Sequence, residues 1–500
     1  MLPTSRPLAA VGAAKRSRLM QIKDSRNGNA YLGAMSSLAS LFDPDLLRRY
    51  DRPGPRYTSY PTAPQFSAQF QENELREVAA VTNGDPIPRP LSLYVHIPFC
   101  TSPCFYCGCN RIITRDRSRG DSYLTRLYRE VCMMSTLFDR DRQVSQLHFG
   151  GGTPNFLAAD QIAEVVDVLR RHFSFAAPRE LDCSIELDPR FISPAEIGVL
   201  ADAGFNRASL GVQDFDPVVQ QAVNRIQSVE ETLAIIEACR LHRFRSVNVD
   251  LIYGLPLQTR EGFDRTLDIT LAARPDRLAI YSYAHLPAMF RPQQRIRAED
   301  LPSPELKLDL LRCAIERLGE AGYVYIGMDH FALPEDDLAQ AQSRGDLHRN
   351  FMGYSTHAES DLVGLGVSAI SHIGASFSQN PRDIGSWEQA IDQGRLPVWR
   401  GMRLDQDDLL RADVIQQLMC HGSIDFREIE RRHVIDFGDY FGDALQQLLP
   451  LQADGLVELS PDGLRSTSRG RLLLRIIAMC FDRYLPAHTE AAAPRFSRTV

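Results

Sequence analysis

The 500-residue chain has no apolar run approaching the roughly eighteen residues that a membrane helix needs, so no helical membrane span is expected. It has no surplus of positive charge either. A net charge of −7 argues against nucleic acid as a general partner, since phosphate backbones are met by lysine and arginine. No secretory signal is evident, which makes disulfides unexpected among its ten cysteines. A second cysteine pair is missing too: Cys132, Cys183, Cys239, Cys313, Cys420 and Cys480 are solitary, whereas a structural zinc site wants paired ligands at two places. Acidic residues are absent from the first 23 positions, which hold five basic side chains and a small-residue run from Leu8 to Ala14. The likeness to an organelle transit peptide is slight, and residues 1–40 are expected to be a disordered leader of a cytoplasmic protein.

Four cysteines do cluster. They lie in Tyr94-Val95-His96-Ile97-Pro98-Phe99-Cys100-Thr101-Ser102-Pro103-Cys104-Phe105-Tyr106-Cys107-Gly108-Cys109, three of them spaced C-x3-C-x2-C. Three thiolates on one short loop can hold three irons of a cubane 4Fe–4S cluster and leave the fourth open. A ferredoxin would close that position. An open iron is what a cluster needs if it is to bind and reduce a small molecule, although the nearby Cys109 is by spacing a possible fourth ligand.

The length suggests two domains with ample core. Within residues 41–90, the proline-broken aromatic segment from Arg52 to Pro64 reads as a strap over the main domain. From Leu91 a regular alternation begins, with apolar or β-branched runs at Leu91–Ile97, Val144–Phe149, Leu181–Leu187, Arg207–Val212, Val247–Ile252 and Leu278–Tyr283. Helical patterns lie between them. Ala159–Phe173 puts Ile162, Val165, Val166 and Leu169 on one face. Ser193-Pro194-Ala195-Glu196 and Ser228-Val229-Glu230-Glu231 read as capping boxes. Six strand–helix units imply a parallel sheet, which a doubly wound fold and a barrel both satisfy.

The unusual residues decide between them. The cysteine loop follows the first run and Gly150-Gly151-Gly152 the second. Glu186 ends the third, Gln213 lies just past the fourth, Asp250 near the end of the fifth and Ala284 just past the sixth. Residues at the carboxyl ends of successive strands converge on one face of a closed or partly closed barrel. An incomplete (β/α)6 barrel over residues 91–385 is therefore predicted. Around Trp387 helical patterns take over, and Leu456–Leu459, Pro461-Asp462-Gly463 and Leu464–Thr467 read as a hairpin. A smaller, mostly helical, winged-helix-like domain is expected over 386–490, with a tail at 491–500. Between Arg400 and Leu485 there are 11 basic and 14 acidic residues, net −3, so a lid is expected rather than a reader of DNA.

The cysteine loop followed by Gly150-Gly151-Gly152-Thr153-Pro154 resembles the radical S-adenosylmethionine (SAM) superfamily. The strings Tyr94 to Cys109, Gly211-Val212-Gln213-Asp214-Phe215, Asp250-Leu251-Ile252-Tyr253-Gly254-Leu255-Pro256 and Gly327-Met328-Asp329-His330-Phe331 resemble one family within it, the oxygen-independent coproporphyrinogen III oxidases. The resemblance runs from about Tyr50 to the C-terminus. It implies a 4Fe–4S cluster on Cys100, Cys104 and Cys107, with Cys109 outside the ligand set, and two SAM molecules per chain. Tyr94, Gly151, Glu186 and Ile370 match the positions around the cluster-bound SAM. Tyr106, Gly152, Thr153, Gln213, Arg225, Asp250 and Ala284 match those around the second.

In that setting the glycine edge and Glu186 suit the ammonium end of SAM, Arg225 a SAM carboxylate and Asp250 ribose hydroxyls. Read alone, the three charged residues also suit ion pairs on a barrel rim, the glycines a tight turn and Tyr106 loop packing. The implied reaction turns two propionates of coproporphyrinogen III into vinyl groups without oxygen, through a 5′-deoxyadenosyl radical, in haem biosynthesis. No side chain is assigned a catalytic role, and Arg111, Arg115 and Arg349 are candidates for the substrate's carboxylates. The implied partners are a small porphyrinogen and an external one-electron donor, and the chain is expected to be a monomer. One rival is a haem chaperone of the same superfamily. Such proteins usually lack the cysteine at Cys109 and much of the leader, and both are present here. The other rival is an iron–sulfur electron carrier, which needs neither a large barrel nor a glycine strand-end.

Overall fold

The strand β1 (Leu91–Ile97) is buried along its whole length except at Tyr94, as a central parallel strand requires. In the computed structural model, which describes residues 42–485 and Arg498, β1 lies in the middle of a large sheet. The leader predicted at 1–40, and the tail at 491–500 apart from Arg498, lie outside the described residues. The other five predicted strands follow as β2 (Gln143–Gly151), β3 (Asp182–Leu187), β4 (Arg207–Gln213), β5 (Ser246–Tyr253) and β6 (Arg277–Ser282). All six run parallel in the order β1-β2-β3-β4-β5-β6.

The sheet is larger than six strands. Next come β7 (Val324–Gly327), β8 (His330–Ala332), β9 (Asp361–Leu365), β10 (Ile370–Ile373), β11 (Ser376–Gln379) and β12 (Arg400–Arg403). Strand β9 pairs parallel with β1 on its free side, while β10, β11 and β12 continue antiparallel from it. At the other edge β8 and then β7 add antiparallel to β6. No pairing joins β7 to β12 among the described residues, so the barrel stays open. Runs of three to five residues carry too little periodicity to be told from loops, which is why the sequence pattern stops at β6.

Helices between the parallel strands cover its outer face. They form where local chemistry asks for them. In α1 (Pro44–Tyr50) Asp43 caps the first turn, and α2 (Glu72–Asn83) and α3 (Ser118–Ser135) flank β1 in the chain. Helix α4 (Ala159–His172) buries Ile162, Val165, Val166 and Leu169, the face read from the sequence. Helix α5 (Pro194–Ala203) has the expected capping box at Ser193 and Glu196. The second predicted box, ahead of α6 (Val229–Leu241), is only half made: Ser228 Oγ accepts from Glu231 N at 3.1 Å, without the reciprocal bond.

After α7 (Arg260–Ala273) and α8 (Pro304–Glu320), helix α9 (Ile384–Asp392) still belongs to the barrel body. Its Trp387 stacks on Tyr123 of α3 at 4.7 Å and donates to the buried Glu130. The division expected at 385 therefore falls inside α9, and the sheet runs to Arg403. Beyond it, α10 (Gln406–His421) and shorter helices pack around a three-stranded sheet of β13 (Ser423–Asp425), β14 (Val457–Ser460) and β15 (Gly463–Ser466), ordered β13-β15-β14. The predicted hairpin is β14–β15.

The strap divides its loyalty. Leu75, Val78 and Ala79 of α2 join the barrel core, whereas Leu46, Leu47, Tyr57 and Tyr60 pack into the C-terminal domain's core. Tyr57 donates to Asp482 at 2.9 Å, and Arg475 holds the carbonyls of Gly54 and Pro55. So the strap is wedged between the two bodies rather than lying over one.

One buried ion pair ties the new parallel strand to the rest. Arg142, just before β2, donates to Asp361 of β9 at 2.6 Å, to Thr82 of α2 at 2.8 Å and to the carbonyl of Arg89 at 2.9 Å. Both side chains of the pair are almost fully buried. Arg142→Ala is expected to cost about 3–5 kcal/mol, because it strands the Asp361 charge without its partner. A urea titration that finds Arg142→Ala as stable as the parent would contradict this.

Candidate functional site

Two short strands, Phe99–Cys100 and Ile112–Ile113, pair in parallel and pinch the base of the cysteine loop. The guanidinium of Arg111 staples the loop from inside, reaching the carbonyls of Cys107 and Cys109 at 3.2 Å and Cys104 at 3.4 Å. It is thereby committed to backbone. Arg115 is exposed, and Arg349 is buried over the ring of Tyr354 at 4.9 Å.

The three C-x3-C-x2-C thiols line one cavity of about 250 Å³. Its wall also contains Tyr106, Gly151, Gly152, Thr153, Glu186, Gln213, Arg225 and Asp250, as strand-end convergence predicts. Three predicted positions lie elsewhere. Tyr94 sits one layer behind, its ring stacked on His148 at 5.8 Å and its hydroxyl 3.0 Å from His96 Nδ1. Ile370 begins β10 and packs its backbone on Gly364, while Ala284 lines a neighbouring cavity.

The glycine edge is a genuine close approach. A Cβ on Gly152 would sit 2.7 Å from the carbonyl oxygen of Pro98, and Gly151 adopts φ +123°, where side chains are strained. Gly151 N–H donates to Glu186 at 3.2 Å and His148 Nε2 lies 3.4 Å from the same carboxylate. Asp250 accepts from Asn248 at 2.8 Å and from Ser209 at 3.1 Å, yet burial, with the nearby charge of Glu186, pushes it up to about 6.

Around the sulfurs the electrostatics combine the predicted Arg225 with Arg190 and Asp188, which the sequence pattern missed. Arg225 Nη1 lies 3.6 Å and Arg190 Nη2 3.8 Å from Cys104 Sγ. Asp188 bridges the two guanidiniums, at 3.0 Å from Arg225 and 2.7 Å from Arg190. Burial opposes the Asp188 charge, but the two cations hold its carboxyl below the ordinary range. Arg225 was expected to meet a ligand carboxylate. It also pairs with Asp188 within the chain, and its buried Nε has no hydrogen-bond partner. The signal available in sequence was Asp188-Pro189-Arg190 directly after β3, two residues beyond Glu186.

Cys107 and Cys109 form a pair. The Cys109 thiol and backbone N–H both donate to the Cys107 sulfur, which brings Cys107 down to about 6 and Cys109 well above its ordinary value. Burial pushes Cys100 up to about 11, against the hydroxyl of Thr153 3.3 Å away. Among the described residues no three His, Cys, Asp or Glu side chains converge on a single ion. A cubane does not ask for that, because each thiolate holds its own iron at a separate corner. Three cysteines around one cavity, cations beside a sulfur, an orphaned buried Nε and a side-chain-free backbone edge together fit a cluster with a small charged ligand.

A barrel open at one seam with a three-cysteine loop after its first strand defines the radical SAM class, and the Radical SAM superfamily model matches residues 94–269. The HemN C-terminal domain model matches residues 404–473. Oxygen-independent coproporphyrinogen III oxidase of Pseudomonas aeruginosa is 51% identical over 92% of this chain and 99% of its own. The protein of that name from Escherichia coli K12 is 47% identical over 92% and 98%. The solved structure of coproporphyrinogen III oxidase from Escherichia coli, a radical SAM enzyme, is 46% identical. It superposes with a TM-score of 0.84 over 89% of this chain and 99% of that one. The chain belongs to the family of oxygen-independent coproporphyrinogen III oxidases.

If Cys100, Cys104 and Cys107 are the ligands, replacing any one by Ser removes the cubane and all SAM cleavage. Cys109→Ser keeps iron and sulfide near the parental content. The assay is iron and sulfide analysis with electron paramagnetic resonance of the reduced protein, and a cluster lost in Cys109→Ser but kept in Cys107→Ser reverses the assignment.

Proposed function

We propose that the chain converts two propionate side chains of coproporphyrinogen III to vinyl groups by oxygen-independent oxidative decarboxylation, giving protoporphyrinogen IX in haem biosynthesis. The observation that carries this reading is the 51% identity, over 92% of the chain, to a protein named for that activity. When bound, the cluster and SAM supply the electron and the carbon-centred radical that takes a hydrogen atom from a propionate β-carbon.

The chain's own residues hold and shield. Cys100, Cys104 and Cys107 would ligate the cluster. Tyr94, Gly151, Glu186 and Ile370 would seat one SAM, and Tyr106, Gly152, Thr153, Gln213, Arg225, Asp250 and Ala284 a second. Support for two seats comes from two carboxylates, Glu186 and Asp250, on separate strand ends of one cavity, with Ala284 already in the next. Asp250, held by Asn248 and Ser209, offers carboxylate oxygens able to accept from ribose hydroxyls. An external one-electron donor, a monomeric state and a cytoplasmic location complete the reading. None of the described helices is long and apolar enough to cross a membrane.

The C-terminal domain is proposed as a lid. Its core takes in Leu46, Leu47, Tyr57 and Tyr60 of the strap, and the strap's Arg56 pairs with Asp329 between β7 and β8. A cover held in this way keeps water from a reactive carbon centre.

Anaerobic incubation of reconstituted protein with SAM, a reductant and coproporphyrinogen III is expected to yield protoporphyrinogen IX, with two SAM bound per chain. Arg225→Ala is expected to lower the SAM count toward one. SAM cleavage without any vinyl product overturns the substrate reading, and a parental count of one overturns the second seat.

A chain ending at Leu404, where the sheet is complete, is expected to assemble its cluster but to form more 5′-deoxyadenosine per vinyl group. An unchanged ratio at full activity would show that the domain is no lid.

A further inference from the structure

A second cavity of about 460 Å³ adjoins the cysteine site. The ends of β5 and β6, the strap, α8 and the C-terminal domain all contribute to its wall. One amide joins it to the first cavity: Gln293 Nε2 donates to the carbonyl of Tyr106 at 2.9 Å and to that of Ala284 at 3.2 Å.

Four cations reach this wall, Arg56, Lys307, Arg475 and Arg498. Three have work within the chain. Arg56 pairs with Asp329, and Arg498 donates to Asp51 at 2.6 Å. Arg475 donates to the carbonyls of Gly54, Pro55 and Arg498. Lys307 differs. Its ammonium makes no hydrogen bond and no ion pair among the described residues, and its nearest favourable neighbour is the face of Tyr253 at 6.0 Å. Asp51 acts on it only from a distance.

Three costs meet at this one side chain. Burial disfavours its charge and holds its pKa below the usual lysine value. It stands near the start of α8, where the helix dipole is positive and repels a cation. The acidic side chain that acts on it, Asp51, is already paired with Arg498. The backbone nevertheless makes room for it. Gly254 adopts φ +85°, and a Cβ there would lie 3.2 Å from Lys307 Cε, so the lysine stem runs along a path that this glycine clears. Gly254 is itself pinned, its N–H donating to Gln258 at 2.6 Å. A costly cation given a cleared path into a cavity is one whose anion arrives with the ligand.

We propose that Lys307 anchors a carboxylate of the substrate, a propionate arm of the tetrapyrrole, and that this cavity is the substrate's seat. The proposal rests on the reaction proposed above and adds the residue that recognises the substrate's charge. A propionate here supplies the missing anion, and its delivery beside Ala284 sets the tetrapyrrole against the cofactor cavity.

The test uses the holoenzyme under anaerobic conditions and two fluorescent probes, coproporphyrin III and its tetramethyl ester, which has the same ring without the charges. The parent is expected to bind the acid at least tenfold more tightly than the ester. Lys307→Met and Lys307→Gln are expected to lose that preference tenfold or more while binding the ester as before, and Lys307→Arg to restore most of it. Because the lysine has no partner in the chain, both neutral variants are expected to melt at the parental temperature or above, which a structural role would not allow. Parental preference for the acid in both neutral variants overturns Lys307 as the anchor. Equal binding of acid and ester by the parent overturns carboxylate recognition in this cavity while leaving the reaction standing. Absence of binding by the parent to either porphyrin counts against the proposed substrate itself.

Discussion

Sulfur that has to be ionised while shielded from water sets the charge balance at the mouth of this barrel. Burial alone raises a thiol's pKa, as Cys100 shows. Two guanidiniums stand beside the Cys104 sulfur, supplied by Arg190 after β3 and Arg225 after β4. Two buried cations so close together would repel, and Asp188 between them makes the group tenable. Loop, strand ends and ion triad therefore depend on one another. The cysteine loop is held by Arg111 and by Asn224 Nδ2 on the Pro103 carbonyl at 2.7 Å, so the sulfurs are positioned by the same rim that balances their charge.

Among the described residues the barrel stays open between β7 and β12, and the strap and the C-terminal domain pack together. The strap and the C-terminal domain share one hydrophobic core, with Arg475 gripping strap carbonyls and Tyr57 meeting Asp482. The other half of the strap is packed on the barrel through α2. The stretch between Tyr60 and Phe70 passes from one core to the other.

Much of the fold was legible because the central strands set apolar residues at alternate positions, as in Leu91, Leu93, Val95 and Ile97 and in Val247, Val249 and Leu251. The short strands β7 to β12 were not, since pairing with an existing edge, rather than their own composition, makes them strands. Gly152 was legible as a site of close approach because only glycine tolerates a carbonyl at 2.7 Å from its Cβ position. The partner of Arg225 was not. Its charge pointed equally to a ligand carboxylate or to a neighbour, and only the tertiary placement of Asp188 revealed the neighbour. Arg111 taught the same lesson, its guanidinium turned inward to carbonyls that no spacing reveals.

The glycines and the lone lysine show why the two cavities belong to one device. Gly151 and Gly152 clear the backbone edge of the first cavity, and Gly254, at the end of β5, clears the lysine path into the second. Asp250 lies on the same strand four residues earlier and lines the first cavity. A single strand end thus presents a carboxylate to one cavity and clears the way for a cation to the other. Chemistry at a carbon–hydrogen bond needs reacting atoms within about 3–3.5 Å of each other, and loss of that alignment costs orders of magnitude in rate. With both cavities reached from the end of β5 and Gln293 tying their walls together, the offset between them is set by the barrel itself. The strap and the C-terminal domain complete the wall of the second cavity through Arg56 and Arg475.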